Sequence, residues 1–474
     1  MPSKRYRLTL TVEGLVHIGD GGKYGKKDYF LTKQGTIAIL NVPSFVGKLD
    51  QDQLNDYCEF LKKDSRTGLQ EYLRRKGLDA VARGARLYTL DVRQDSYQYF
   101  SIWRFVKDAH GCPYVPGSSI KGMLRTAILI SLIARDRQAY ERLYNRGEVL
   151  KKRQRADEDI QRKAFWVGQL DRDGGSAVND VLRYLSVSDS DPLSVDDLVL
   201  AMKYDKFSQK DDGRHKKKLG KISDEEAYYQ GNELPIYREC LRPGTTIRTT
   251  LTVDERIGQY FDSLRLDRDG LPKALLFSYE LYQKCFLSHF DIDGEATSTK
   301  KEASSDGRCK YIYQSDRVAG TRCRNRAVGG TGYCNMHKKY ATVGGAAGGS
   351  AQDPICYLGG GIDFNTKTIE NALFVDEGRR LDEVSHILFD QFPTKLDEQR
   401  HAALKAEVQR AGFRSRPMDS QYKRNGQLKK AKEDHRHWCD GALGVSPHTL
   451  KMGKVQDKMY PMGKCRARFE ELEN

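Results

Sequence analysis

The chain has 474 residues, room for two or three ordinary domains, and carries 80 lysines and arginines against 65 aspartates and glutamates, a formal charge of +15. Basic residues spread along the whole chain favour a polyanionic partner, and no run approaches the roughly 18 apolar residues of a membrane span, so no membrane association is expected. The start, MPSKRYRLTLTV, lacks an apolar signal core; the expected location is cytoplasmic, where ten cysteines read as core residues or metal ligands rather than disulfides.

Residues 5–12, RYRLTLTV, place Tyr6, Leu8, Leu10 and Val12 on one face and Arg7, Thr9 and Thr11 on the other, the period of a half-buried strand. GLVHIGDGGKYGKKDYF follows, with five glycines between Gly14 and Gly25 and with Lys23, Lys26 and Lys27 beside them. Such a loop lets backbone amides approach an anion closely. TIAILNVPSFVGKL reads as a strand and then a helix starting near Pro43 and Ser44, and DSYQYFSIWRFV as an aromatic-rich strand.

In YVPGSSIKGMLRTAIL, Ser118 or Ser119 is placed to cap a helix. Ile120, Met123, Leu124, Ala127 and Ile128 form its apolar stripe, with Lys121 and Arg125 off that stripe. The first turn combines helix amides, the positive end of the helix dipole and two cations, which suits a phosphate; an ordinary capped core helix fits the same pattern. Further on, strand-like ICYL leads into GGGIDFNTKT, where Gly359, Gly360 and Gly361 precede Lys367. The spacing is not that of a nucleotide-binding P-loop. SPHTLKMGKVQDKMYPMGKCRARF reads as a basic hairpin in which Met alternates with Lys or Arg.

Taken in order, LTLTVEGLVHIGDGGKYGKKDYF, YVPGSSIKGMLRTAIL, LPIYRECLRPGTTI and YLGGGIDFNTKT resemble the RAMP proteins of type III CRISPR systems. With LRYLSVSDSDPL and the ending SPHTLKMGKV, the set is most similar to the Csm subunits that cap the 3′ end of the guide RNA in type III-A complexes. The resemblance covers most of residues 5–290 and 354–465. It implies an α+β fold of two ferredoxin-like (RRM-like) RAMP domains with long insertions, residues 1–255 and 256–474, that binds crRNA and adjoins the backbone RAMP subunit among other Csm subunits. Target RNA and host nucleases are further partners it suggests. The positions that match its RNA-binding segments are His17, Gly19, Gly21, Gly22 and Lys23 in the first loop and Gly117, Ser118, Ser119, Lys121 and Arg125 in the second segment. Gly359, Gly360, Gly361 and Lys367 supply the third. Binding through the backbone would be independent of sequence.

Residues 299–353 depart from that pattern. Cys309, Cys323, Cys334 and His337, spaced by thirteen, ten and two residues, suit a closed tetrahedral structural Zn2+ site, and the module resembles small Cys3His zinc motifs. Flanks TSTKKEASSDG and ATVGGAAGGSAQD have linker composition. Between Arg308 and Tyr340 eight basic residues face one acid, Asp316, which suits RNA, DNA or an acidic protein. A closed ligand set leaves no open position for catalysis.

Other chemistry is weaker. The His435, His437 and Cys439 cluster lacks a matching second half of a metal site, and Asp189 and Asp191 read as a capped turn. Two functions from different classes are therefore carried: a non-catalytic crRNA-binding subunit supporting crRNA maturation and antiviral defence, and a metal-independent endoribonuclease of repeat RNA using His17 or His448.

Overall fold

The computed structural model describes residues 3–32, 35–63, 67–91, 100–149, 153–167, 178–210, 231–259, 270–291, 353–392, 398–399, 402–403, 406, 437 and 440–473. The chain divides into two units, Met1–Phe290 with Pro354–Asn474, and Asp291–Asp353. Cys309, Cys323, Cys334 and His337, like His435 and Cys439, lie outside the described residues. Among the described residues, no three His, Cys, Asp or Glu side chains are grouped to hold a metal.

In chain order the strands are β1 (Ser3–Val12), β2 (Gly19–Tyr24), β3 (Tyr29–Leu31), β4 (Thr36–Leu40), β5 (Arg86–Asp91), β6 (Ile102–Phe105) and β7 (Leu185–Val187). They continue with β8 (Leu198–Phe207), β9 (Gly231–Leu241), β10 (Thr246–Asp254), β11 (Ile355–Tyr357), β12 (Thr449–Val455), β13 (Lys458–Pro461) and β14 (Lys464–Leu472). Helices α1 (Val42–Val46), α2 (Gln51–Lys62), α3 (Leu69–Lys76) and α4 (Asp79–Arg83) precede the long α5 (Gly117–Arg135). After it come α6 (Arg137–Val149), α7 (Arg153–Phe165), α8 (Gly270–Cys285), α9 (Glu370–Leu373), α10 (Glu377–Gln391) and α11 (Asp440–Leu443).

The alternation in β1 does what it predicts: Tyr6, Leu8, Leu10 and Val12 are buried, Arg7 and Thr11 exposed. That strand sits between β14 and β10 in an antiparallel sheet of order β11-β14-β1-β10-β7. A second sheet runs β13-β12-β8-β9-β6-β2, antiparallel except for the β6–β9 pair. Both sheets contain strands from either side of residue 255, so a division there does not separate them. β3, β4 and β5 form a small third sheet that closes with α1–α4 over Phe45, Tyr57, Phe60 and Tyr72. The expected start of α1 holds, with the Asn41 side chain accepting from the Ser44 amide at 3.1 Å.

α5 is long and apolar enough, by length and composition alone, to cross a membrane, contrary to the expectation that no such stretch exists. Half of it is buried instead, with Ile120, Leu124, Ile128 and Ile133 fully inside the main core. Burial of that stripe, at about 25 cal/mol per Å² of apolar surface, anchors the start of the helix at Gly117.

Three short connections, β1 to β2, β9 to β10 and β13 to β14, carry the chain from one sheet to the other. They are hydrogen-bonded together: the Leu241 amide donates to Val16 O at 2.8 Å, the Leu15 amide to Pro461 O at 3.0 Å and the Gly463 amide to Leu15 O at 2.6 Å. The resulting junction between the sheets is where the candidate residues gather.

Candidate nucleic-acid interface

The first loop leaves β1 and is pinned before it reaches β2. His17 is only 6% exposed, and its Nδ1–H donates to the carbonyl oxygen of Glu239 at 2.7 Å. Burial holds the imidazole pKa below its ordinary value, so the ring is neutral at pH 7. The glycine run docks directly onto this residue: the Gly360 amide donates to His17 O at 2.7 Å. Gly359 has φ +92°, and a Cβ there would collide with the same carbonyl. Two segments more than 300 residues apart in the chain are thus one structure. Gly19, Gly21 and Lys23 continue along β2, all exposed, with Gly22 half-buried beside them.

Behind the His17 carbonyl hydrogen bond stands a buried carboxylate that sequence reading missed. Glu239 is 0% exposed; it accepts from Lys107 Nζ at 2.6 Å and from the Phe105 amide at 2.7 Å, and Tyr88 donates to its other oxygen. Fully satisfied, such a hub fixes β9 against β6 and β5. Its only sequence signal was a charge in an otherwise half-apolar strand, YRECL.

The start of α5 differs from expectation. Its N-cap is Pro116, with no side-chain cap, and Ser118 and Ser119 lie inside the first turn. The capping oxygen comes from elsewhere: Asp189 Oδ1 accepts from the Gly117 amide at 2.7 Å. Val115 and Ser190 exchange further hydrogen bonds, the Val115 amide donating to Ser190 Oγ and the Ser190 amide to Val115 O, both at 2.9 Å. Gly117 must lack a side chain, since a Cβ would lie 2.7 Å from Ser188 O. Arg125 turns inward, with Nη1 on Asp180 at 2.5 Å, Nε on Gln161 at 3.1 Å and its guanidinium 4.0 Å above the Phe165 ring. Lys121 is half-buried, and desolvation lowers its pKa while Asp180 opposes the shift. Ser118 is exposed and Ser119 half-buried.

All three glycine-bearing segments meet around one cleft of about 460 Å³. Gly19 comes from the first loop, Ser119 and Gly122 from α5, and Gly359, Gly360 and Lys367 from the glycine run. Lys367 stands exposed at the rim, its ammonium pKa lowered by partial desolvation. Next to this cleft the second sheet presents a basic face. Gly361, with φ +75°, lies against the Arg238 guanidinium, the nearest guanidinium atom 3.6 Å from where a Cβ would stand. Lys203 and Lys451 share a single carboxylate, Asp205, at 3.4 and 3.0 Å. Register continues the face through Trp103, paired with Arg238, to Lys23, whose Nζ lies 3.8 Å from the Trp103 ring centre. The roles of Arg238, Lys203 and Lys451 are not legible locally, although YRECL, AMKYD and the alternating LKMGK contain them.

Asp363, directly after the glycine run, fastens it to both neighbours. It is 1% exposed and accepts from the Lys451 amide at 2.8 Å and Tyr282 Oη at 3.1 Å; burial pushes its carboxyl up to about 7. His448, the other histidine weighed for catalysis, has Nδ1 3.0 Å from Asp440, which also accepts from Ser446 Oγ at 2.6 Å.

Residues 102–302 match the RAMP superfamily. A protein named CRISPR system Cms protein Csm5 from Mycobacterium tuberculosis is 34% identical over 155 residues, 32% of this chain and 36% of its own length. The protein of the same name from Streptococcus thermophilus is 24% identical over 316 residues, 61% of this chain and 74% of its own length. The match thus spans about a third of the Mycobacterium tuberculosis relative. A chain in a cryo-EM structure of a Csm–crRNA–target RNA ternary complex of a type III-A CRISPR-Cas system shares the fold, with a TM-score of 0.51 at 16% identity over 98% of this chain and 100% of that one. Residues 102–302 thus resemble the RAMP superfamily, and the named relatives to which the chain is similar are Csm5 proteins.

Proposed function

We propose that this chain is a crRNA-binding subunit of a type III-A Csm effector complex, located in the cytoplasm, which holds the guide by its sugar-phosphate backbone and caps its 3′ end. The two main sheets are read as the two ferredoxin-like halves of a RAMP protein. The observation that carries the proposal is the meeting of three glycine-bearing segments beside Arg238, Lys203 and Lys451, of which the two lysines share the Asp205 carboxylate. Phosphates are read there by charge and close backbone approach, without a base code. Capping the filament next to a backbone RAMP subunit fixes where the guide ends and so supports crRNA maturation by recruited nucleases and antiviral defence.

The chain is read as non-catalytic. His17 has its ring buried and its Nδ1 committed to a backbone carbonyl, poor placement for a general base that must reach RNA. Cys309, Cys323, Cys334 and His337 are proposed to bind one structural Zn2+, on the spacing of their ligands.

Assembling the Csm complex with and without this chain and sequencing the bound guides tests the role. Uniform 3′ ends with the chain and uneven ones without it support capping; identical ends in both overturn it. Labelled repeat RNA incubated with the pure protein in EDTA tests the enzymatic reading: the RNA stays intact, whereas cutting at one site, lost in His17→Ala, would establish the endoribonuclease.

A further inference from the structure

The cleft where the glycine segments meet is larger and more apolar than a phosphate needs. At about 460 Å³ it falls in the range of roughly 300–1,000 Å³ typical of small-molecule sites. Its inner walls are Met123 and Ala127 of α5 and Leu275 of α8, faced by three tyrosines, Tyr279, Tyr282 and Tyr357. No carboxylate lines it among the described residues, and its one charged lining residue, Lys367, is at the rim. A phosphate drawn inside would lose its water and meet no cation other than Lys367 to replace it, whereas a flat, uncharged, aromatic group costs far less to desolvate.

We propose that this cleft receives a single unstacked nucleobase of the bound RNA strand while that nucleotide's phosphate stays outside, against Lys367 and Arg238. The inference rests on the RNA-backbone reading above. The tyrosines are held ready for it. Tyr282 Oη donates to Asp363, the Tyr282 and Tyr357 rings meet edge to face at 5.0 Å, and Tyr279 lies nearly parallel to Tyr357 at 6.4 Å. A fixed aromatic wall stacks any base without paying side-chain ordering on binding. Ser119 and Ser278 offer hydroxyls that donate or accept, so a purine or a pyrimidine edge is served equally. At the mouth, Gly19, Gly359 and Gly360 carry no side chain, which leaves the width a base needs to enter beside its own backbone. The occupant is thus a base in general rather than one base in particular, as guides of varying sequence require.

The test compares the full-length protein's affinity for a single-stranded oligouridylate with that for an abasic ribose-phosphate strand of the same length. The base-bearing strand is expected to bind about five- to a hundredfold more tightly, the value of one stacked base. Ser278→Trp, which fills the cleft, and Tyr279→Ala, which removes a wall, are expected to abolish that ratio while leaving affinity for the abasic strand unchanged. Equal binding of both strands by the unaltered protein would overturn the base site and leave the backbone reading standing. A ratio that persists in both variants would place the base elsewhere and also overturn it. Binding of neither strand would refute the backbone reading itself.

Discussion

The Gly360 amide donates to the His17 carbonyl oxygen at 2.7 Å, and this hydrogen bond joins the first loop of the chain to the glycine run near its other end. The joint tolerates no side chain at the preceding residue: Gly359 has φ +92°, and a Cβ would collide with His17 O. Gly359→Ala is expected to cost on the order of 1–3 kcal/mol of stability and to displace the loop. Denaturant unfolding measures the first effect, and a tenfold or greater loss of RNA affinity reports the second. Unchanged stability and affinity would mean the two segments are not coupled.

Arg125 and Lys121 look alike in sequence and separate in structure. Arg125, its side chain about a third exposed, is tied to Asp180 and Gln161. Arg125→Ala is expected to lower stability by about 1–2 kcal/mol and leave the salt dependence of RNA binding unchanged. Lys121 forms no ion pair among the described residues, and its ammonium is partly desolvated. Lys121→Ala is expected to leave stability within about 0.5 kcal/mol and to weaken binding equally for unrelated RNA sequences. Paired unfolding and binding titrations of the two variants check both.

Asp363 makes stability depend on pH. Its folded pKa of about 7 lies above the roughly 3.9 of an unfolded carboxyl, so between those values the folded protein holds a proton that the unfolded chain has released. Stability therefore falls as pH rises from about 4 to about 7 and levels off above. Asp363→Asn removes this contribution, so wild-type stability relative to the variant is expected to drop by a few kcal/mol across that window. Thermal unfolding of both proteins from pH 4.5 to 8 tests it; a constant difference would contradict it.

The zinc proposal is tested by metal analysis after dialysis, with one Zn2+ per chain expected. Cys334→Ser is expected to lose the metal while the unit formed by Met1–Phe290 and Pro354–Asn474 keeps its unfolding transition. Metal-free wild-type protein would end that proposal.

Local patterning made part of this readable. The buried face of β1, the strand before α1, the C-terminal hairpin β12–β13 and the apolar stripe of α5 all follow from side-chain period. The glycine-bearing segments were each visible, because close backbone approach demands glycine. Their meeting follows only from the resemblance to RAMP proteins, since it depends on three passages between two sheets whose register no local pattern encodes. For the same reason the local pattern makes Asp189 a turn residue and Ser118 or Ser119 the cap, whereas Asp189 supplies the acceptor for α5. Arg238 and Glu239 are neighbours in one strand with opposite fates, one beside the glycine run and one buried on Lys107, and only the strand's partners decide between them.

The claim at the centre is that RNA is held by its phosphates at the basic face beside the glycine run. The direct measurement is log K against log salt for two unrelated single-stranded RNAs, with wild-type protein and Arg238→Ala. For both RNAs the wild type is expected to give the same negative slope, about −0.7 per phosphate contact, and Arg238→Ala a slope shallower by about 0.7. A salt-insensitive affinity, or a slope that Arg238→Ala leaves unchanged, would contradict it.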